Sequence, residues 1–123
     1  MEKKQNRKKL GAWGEQVAAD YLVANGYLLV MCNFRCYFGE IDLIAKEGEV
    51  WCFVEVKTRR NLNYGRGYES ITKTKQQHLI LAAENYLNLH GLGEVAFRFD
   101  VVSIDFVKNG AYQLELIKNA LQR

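Results

Sequence analysis

Residues 39–59 read GEIDLIAKEGEVWCFVEVKTR, two apolar segments joined by a short charged turn. Residues 38–46 alternate and then become apolar, and residues 50–57 are rich in aromatic and β-branched side chains, so we predict two paired β-strands. Each strand carries an acid in its interior, Asp42 in the first and Glu55 in the second. An ionised carboxylate inside an apolar strand is costly unless a partner compensates its charge. This stretch therefore predicts a hairpin with a charged site built into it.

The register of this hairpin determines which side chains meet. Because side chains alternate along a strand, Glu40 shares the face of Asp42, and Lys57 shares the face of Glu55. A two-residue turn at residues 47–48 places Glu55 one diagonal step from Asp42, whereas a turn two residues longer places the two acids directly opposite each other. Both registers bring the carboxylates together, and a slip of one residue would separate them.

The rest of the chain predicts a mixed sheet flanked by helices. Apolar residues recur at helical spacing over residues 7–25 and 72–90. Further strands are predicted over residues 27–31, 95–105 and 112–117, with the last two joined at the turn signal Asn109-Gly110. The predicted fold class is α/β (α+β), one domain over residues 1–123 in the order αβββαββ, with a central mixed five-stranded sheet. Residues 1–9 are predicted to form a flexible basic tail, and residues 61–68 a loop.

Composition excludes several classes of protein. The 123 residues are 49% hydrophobic and 25% charged, enough for one domain with a core. No apolar run approaches the ~20 residues of a membrane helix, and the basic N-terminus lacks the apolar core of a secretory signal. Three cysteines favour a reducing, cytoplasmic setting. Cys32 and Cys36 form a close pair, but no second pair of ligands lies near them, so free thiols are favoured over a zinc site.

Paired acids on a rigid sheet suit metal-dependent hydrolysis. Adjacent ionised carboxylates repel each other and are stabilised by a cation. Oxygen ligands suit Mg²⁺ or Mn²⁺, which lower the pKa of bound water and stabilise charge on a phosphate. A lysine beside the acids, here Lys57, can position that water or neutralise the phosphate. The alternative is a structural hairpin in which Lys57 forms an ion pair with Asp42 or Glu55.

These residues resemble a known family. Asp42 followed by Glu55-Val56-Lys57 is similar to the acid…(Asp/Glu)-x-Lys signature of the PD-(D/E)XK nuclease superfamily. More narrowly, the chain resembles the YraN-like family of small bacterial proteins, which look like archaeal Holliday-junction resolvases. The similarity runs from Gly11 to about Ile104 and includes Gly14-Glu15, Asn33-Phe34-Arg35, the acidic hairpin itself, Gly65, Lys75 and Arg98-Phe99-Asp100-Val101-Val102. The loop after Arg59 departs from the family pattern, because this chain has no proline.

The resemblance implies a restriction-endonuclease-like fold and a nuclease that hydrolyses DNA, including branched or damaged DNA, through metal-activated water. Asp42, Glu55 and Glu15 would be the ligands of Mg²⁺ or Mn²⁺, and Lys57 would help to activate the water. Glu40 would be a further ligand or a hydrogen-bond partner of the ligands. An acid paired with a nearby arginine is the alternative for Glu40, and a solvated helix acid is the alternative for Glu15.

Basic residues around the loop are the predicted nucleic-acid contacts: Arg59, Arg60, Arg66 and Lys75. Solvated surface is the alternative for each of them, and Lys75 could instead pair with an acid. Asp100 is predicted to form an internal ion pair with Arg98. A homodimer is expected by analogy with small nucleases, which cut both strands of a duplex.

Two function classes compete with the nuclease. The first is a nucleic-acid-binding module that keeps the nuclease fold without catalysis. The second is a structural or assembly protein whose acids form ordinary ion pairs. The retention of both acids and the lysine in the hairpin favours the enzyme.

Overall fold

The computed structural model describes residues 2–60 and 71–121. Their element order is α1 (Glu2–Ala24), β1 (Leu28–Cys36), β2 (Gly39–Glu47), β3 (Val50–Arg59), α2 (Lys73–Leu89), β4 (Phe97–Phe106), a single 3₁₀ turn (Lys108–Gly110) and β5 (Tyr112–Ile117). The predicted order αβββαββ is therefore confirmed. The loop predicted at residues 61–68 and the predicted contact Arg66 lie outside the described residues.

The five strands form one sheet in the order β1-β2-β3-β4-β5. Neighbouring strands are antiparallel except β3 and β4, which are parallel. Parallel neighbours need a crossover connection, and α2 lies in that connection. The prediction of a mixed five-stranded sheet with flanking helices is confirmed.

The centre of the sheet is buried between the two helices, as alternation along β3 illustrates. Phe53 packs into a cluster with Leu79, Ala83 and Tyr86 of α2. Its neighbours on either side, Cys52 and Val54, pack instead with Ala18 and Leu22 of α1. Each fully buried large apolar side chain stabilises the fold by about 1.5–3 kcal/mol. The period-2 pattern of β3 thus holds a helix on each face.

Both helices agree with the sequence apart from the start of α1. The helix begins at Glu2 rather than at residue 7, so most of the segment predicted as a flexible tail is helical. Lysine, arginine and glutamine are good helix formers, which explains this extension. Helix α2 begins where the Thr72 hydroxyl accepts a 3.1 Å hydrogen bond from the Lys75 amide. None of the helices within residues 2–60 and 71–121 is both long and apolar enough to cross a membrane.

The predicted ion pair between Arg98 and Asp100 is confirmed. Arg98 Nε lies 2.9 Å from Asp100 Oδ1, and the Asp100 carboxylate is buried. The same guanidinium contacts Glu47 of β2 at 2.8 Å. The backbone amide of Asn119 donates a further 2.8 Å hydrogen bond to Asp100. These contacts connect β4 to the hairpin turn and to the segment after β5.

Candidate functional site

Strands β2 and β3 separate where their acids lie. Their last backbone pair is Leu43 with Val54, and continuing this register by one residue places Asp42 opposite Glu55. Beyond that point β3 stays paired with β4, and β2 stays paired with β1. The second of the two predicted registers is therefore the one observed. The acids lie at the opening of a cleft between diverging strands.

The alternation of β2 breaks at Asp42. Leu43 packs with the α1 side of the core, whereas Ile41 packs with the α2 side, although a regular strand would place them on one face. The opposing strand is irregular as well, because Asn33 has φ 55° and no backbone pair of its own in this ladder. Asparagine tolerates this left-handed conformation better than most residues. The prediction of strict alternation along β2 is therefore wrong at this position.

The side chain of Asp42 is held by a backbone group of β3. The backbone amide of Val56 donates a 2.8 Å hydrogen bond to Asp42 Oδ2. A regular antiparallel ladder would direct that amide to a backbone carbonyl, so the side chain substitutes for a ladder partner. Burial raises the pKa of Asp42, and the charge of nearby Glu40 raises it further. The hydrogen bond from the Val56 amide and the charges of Lys75 and Lys57 lower it.

Three carboxylates from two elements converge in the cleft. Oxygens of Glu15 on α1 and of Glu40 and Asp42 on β2 all lie within 4.8 Å of one another. Burial, followed by the charge of Asp42, raises the pKa of Glu15, while a side-chain hydrogen bond from Asn33 lowers it. Glu40 also lies 3.5 Å from Arg35, so the arginine pairing considered for this acid is present too.

Glu55 lies opposite this group and is 5% exposed. Its Oε1 lies 3.7 Å from the Nζ of Lys57 and 3.7 Å from the Nζ of Lys75. Its Oε2 is buried and has no hydrogen-bond partner among the described residues. Burial, reinforced by the charge of Asp42, raises the pKa of Glu55 to about 7. Burying a carboxylate oxygen without a hydrogen bond costs free energy, so Glu55 Oε2 is a candidate contact for a ligand.

The acids open into one cleft of about 310 Å³. It is lined by Leu10, Gly11, Glu15, Asp42, Glu55, Val56, Lys57 and Thr58. The structure thus brings Asp42, Glu55, Lys57 and Glu15 to one cavity. Lys75, predicted as a nucleic-acid contact, reaches the same acids from the start of α2 through Glu55.

The arginines predicted as nucleic-acid contacts differ in their surroundings. Arg59 pairs with Asp105 of β4 at 3.0 Å, and its side chain is 16% exposed, so it joins two strands of the sheet. Arg60 is exposed at the end of β3. Cys32, Cys36 and Cys52 form no disulfide with one another; Cys32 is exposed, Cys36 is partly buried and Cys52 is buried.

The donor set fits a small divalent cation. Oxygens of Glu15, Glu40 and Asp42 all lie within 4.8 Å of one another, so one small cation could contact all three. All the donors are carboxylate oxygens, the type that Mg²⁺ and Mn²⁺ prefer. Glu55, which was predicted as a ligand, lines the same cleft but is not one of the three acids that lie within 4.8 Å of one another.

Reasoning from the sequence missed the groups that orient these acids. The side chain of Asn33 contacts Glu15, and the Val56 amide holds Asp42. Gly14 allows α1 to approach Thr58 of β3 closely. Asn33 and Gly14 stand in the motifs quoted above, but nothing in their spacing indicated what they contact.

Relatives of this chain share nearly its whole length. Residues 14–104 match the family described as uncharacterised protein family UPF0102. A UPF0102 protein of Dehalococcoides mccartyi is 45% identical over 94% of this chain and 95% of its own length. Another, of Caldicellulosiruptor saccharolyticus, is 47% identical over 94% and 98%, and one of Legionella pneumophila is 44% identical over 89% and 92%. The chain therefore belongs to the UPF0102 family.

Proposed function

We propose that this protein is a metal-dependent nuclease with a restriction-endonuclease-like fold, which hydrolyses phosphodiester bonds in DNA. The observation that carries the proposal is the convergence of Glu15, Glu40 and Asp42 to within 4.8 Å, with Glu55 lining the same cleft as Glu15 and Asp42. Like charges gathered at one point are stabilised by a cation.

Asp42, Glu55 and Glu15 would hold Mg²⁺ or Mn²⁺, with Glu40 as a further ligand or a partner of the ligands. When bound, the metal would supply a water of lowered pKa and stabilise negative charge on a phosphate. The Val56 amide keeps the Asp42 carboxylate oriented in the cleft. That hydrogen bond holds the carboxylate in place before any ligand arrives, which lowers the cost of organising the site.

Lys57 and Lys75 would serve the substrate. Both ammonium groups lie 3.7 Å from the same oxygen of Glu55, one from β3 and one from α2. Their side chains are 31% and 42% exposed, so both are accessible to a ligand, and Lys57 lines the cleft itself. Lys57 would hold the attacking water or a phosphate oxygen, and Lys75 would neutralise a neighbouring phosphate. Two cations beside a cluster of acids suit a phosphodiester better than a neutral substrate.

The test combines metal binding with cleavage. Mn²⁺ binding is measured by calorimetry at pH 8 for the wild type, Asp42→Asn and the control Glu84→Gln, which removes an exposed acid of α2 that does not line the cleft. We expect Asp42→Asn to weaken binding by at least 10-fold and Glu84→Gln to leave it unchanged. Labelled linear, flapped and four-way DNA should be cut by the wild type and not by Asp42→Asn.

Two outcomes would contradict the nuclease. Absence of both Mn²⁺ binding and cleavage removes the proposal altogether. DNA binding that persists in Glu55→Gln and Lys57→Met, with no cleavage by the wild type, indicates a non-catalytic nucleic-acid-binding module instead. The ion pairs of Lys57 and Lys75 with Glu55 match instead the structural alternative, in which the acids form ordinary ion pairs.

We also propose a homodimer in a reducing, cytoplasmic setting. The dimer is proposed by analogy, since a duplex has two strands to cut. The three free thiols support the setting. Sedimentation equilibrium with and without four-way DNA measures the oligomeric state. Fractionation of cells tests the cytoplasmic location.

A further inference from the structure

Gly14 of helix α1 lies directly against Thr58 of β3. This glycine is buried, and a Cβ atom built on it would collide with the hydroxyl oxygen of Thr58 and lie 3.3 Å from Thr58 Cβ. A residue larger than glycine at this position requires either a change of the Thr58 χ1 rotamer or a movement of the helix away from the strand. Threonine is branched at Cβ and has few χ1 rotamers, so we expect the helix to move.

The close contact between Gly14 and Thr58 leaves a buried polar atom without a hydrogen-bond partner among the described residues. This atom is Thr58 Oγ1. The Cα–H bond of Gly14 points toward this oxygen, along the direction that a Cβ would take, and offers only a weak interaction. Gly11, one turn earlier on the same helix, has nothing within 4 Å of a built Cβ. The close approach is therefore local to Gly14 and is not a general property of α1.

The residue next to Gly14 is Glu15. Its carboxylate must reach from α1 to within 4.8 Å of Asp42 and Glu40 on β2. Glu15 and Thr58 line the same cleft, so the separation of α1 from β3 at Gly14 also sets the depth to which Glu15 enters it.

We propose that Gly14 and Thr58 are a positioning pair, which holds α1 close enough to β3 for the Glu15 carboxylate to join the acids of β2. The pair acts through Glu15 and touches neither metal nor substrate. The inference rests on the proposed metal site for its consequence in function. Its geometric content, that Gly14 sets the position of Glu15, does not depend on a metal.

The first test is crystallographic and uses metal-free protein. In Gly14→Ala we expect α1 to move from β3 by on the order of 1 Å, enough to bring the new methyl group from collision to van der Waals contact. The Glu15 oxygens should then lie farther from Asp42 than they do in the wild type. Gly14→Ala/Thr58→Ala should restore the wild-type position, because it removes the colliding hydroxyl. Gly11→Ala, the matched control with the same gain in helix propensity, should leave α1 in place.

The second test asks whether the pair acts through Glu15. Mn²⁺ affinity is measured in the wild type, Gly14→Ala, Glu15→Gln and the double variant. We expect Gly14→Ala to weaken binding by about 10- to 100-fold, the range seen when partners that orient metal ligands are removed. In the Glu15→Gln background the same substitution should have no further effect. Adding Thr58→Ala to Gly14→Ala should restore the affinity to within about threefold.

Several results would overturn the inference. One is a Gly14→Ala structure in which Glu15 keeps its position beside Asp42. Another is an equal loss of affinity from Gly14→Ala with and without Glu15, since that indicates general damage. If Gly14→Ala does not fold, Thr58→Val provides a second variant, because it places a methyl group where the hydroxyl faces Gly14. We expect α1 to move away from β3 in this variant, and a crystal structure with an unmoved helix refutes the proposal. If the wild type binds no Mn²⁺, the proposed function fails, and the crystal structures decide the positioning role alone.

Discussion

Replacement of Glu55 by glutamine should change how the stability of the protein depends on pH. Burial raises the pKa of Glu55 from 4.5 to about 7, with the charge of Asp42 contributing in the same direction. The folded state therefore holds this proton more tightly than the unfolded chain does. The resulting stabilisation is fully present below pH 4.5 and is lost as the pH rises through about 7. Glutamine keeps the size of the side chain and cannot ionise, so the variant escapes this loss.

The size of the effect follows from the two pKa values. The difference between 4.5 and about 7 corresponds to about 3 kcal/mol of unfolding free energy. Little of this is reduced by solvent, because the residue is 5% exposed. Lys57 and Lys75 also lose their shared partner in the variant, which adds a cost of its own to the unfolding free energy. We therefore predict the slope of the difference, rather than its value at one pH.

The assay is urea unfolding of the wild type and Glu55→Gln in EDTA between pH 4.5 and 8.5. The unfolding free energy of the variant minus that of the wild type should rise by about 2–3 kcal/mol across this range and level off above pH 8. Glu84→Gln is the control, because it removes the same charge from an exposed position of α2. Its curve should stay parallel to that of the wild type. A flat difference for Glu55→Gln would refute the reasoning, since Glu55 would then ionise at no cost in the folded state.

Three further predictions concern the scaffold. Arg98→Met should destabilise the protein by about 3–5 kcal/mol in thermal or urea unfolding, because it removes the ion-pair partner of buried Asp100, and adding Asp100→Asn should recover much of that loss. Burial raises the pKa of Cys52 to about 11, so alkylation followed by mass spectrometry should label exposed Cys32 at least roughly 100-fold faster, and comparable rates would contradict the buried position. Thr72→Ala should cost about 1 kcal/mol by removing the cap of α2, and an unchanged urea midpoint would argue against that hydrogen bond.

Local sequence signals predicted the elements well, for reasons visible in particular residues. Asn109 and Gly110 both adopt positive φ, 60° and 75°, which few other residue pairs tolerate. Strand β5 occupies residues 112–117 as predicted, and the alternation of β3 assigns its faces correctly. The start of α1 was placed too late, because the basic segment has no apolar stripe to mark it as helix. The helix propensity of the residues in this basic segment indicated a helix, but a prediction based on apolar periodicity does not use that signal.

The candidate site was predicted in part. The sequence limited Asp42 and Glu55 to two registers, and both brought the acids together. It could not choose between those registers, because the turn residues permit either. It also could not reveal the break in β2 at Asp42, where a side chain replaces a backbone partner for Val56. Arg59 illustrates the same limit, since its partner Asp105 lies on a strand 46 residues away.

By itself, the sequence determined the strands and helices and the presence of paired acids and a lysine in one hairpin. These follow from local periodicity, turn chemistry and side-chain alternation, which act over a few residues. Only the tertiary structure decided that Glu15 and Lys75 reach those acids, and that the sheet divides between Asp42 and Glu55. Such contacts depend on how closely each helix packs on the sheet, and a single glycine at position 14 sets that distance for α1. Packing between distant segments leaves no periodic pattern in the sequence, and for that physical reason the sequence alone could not predict these contacts.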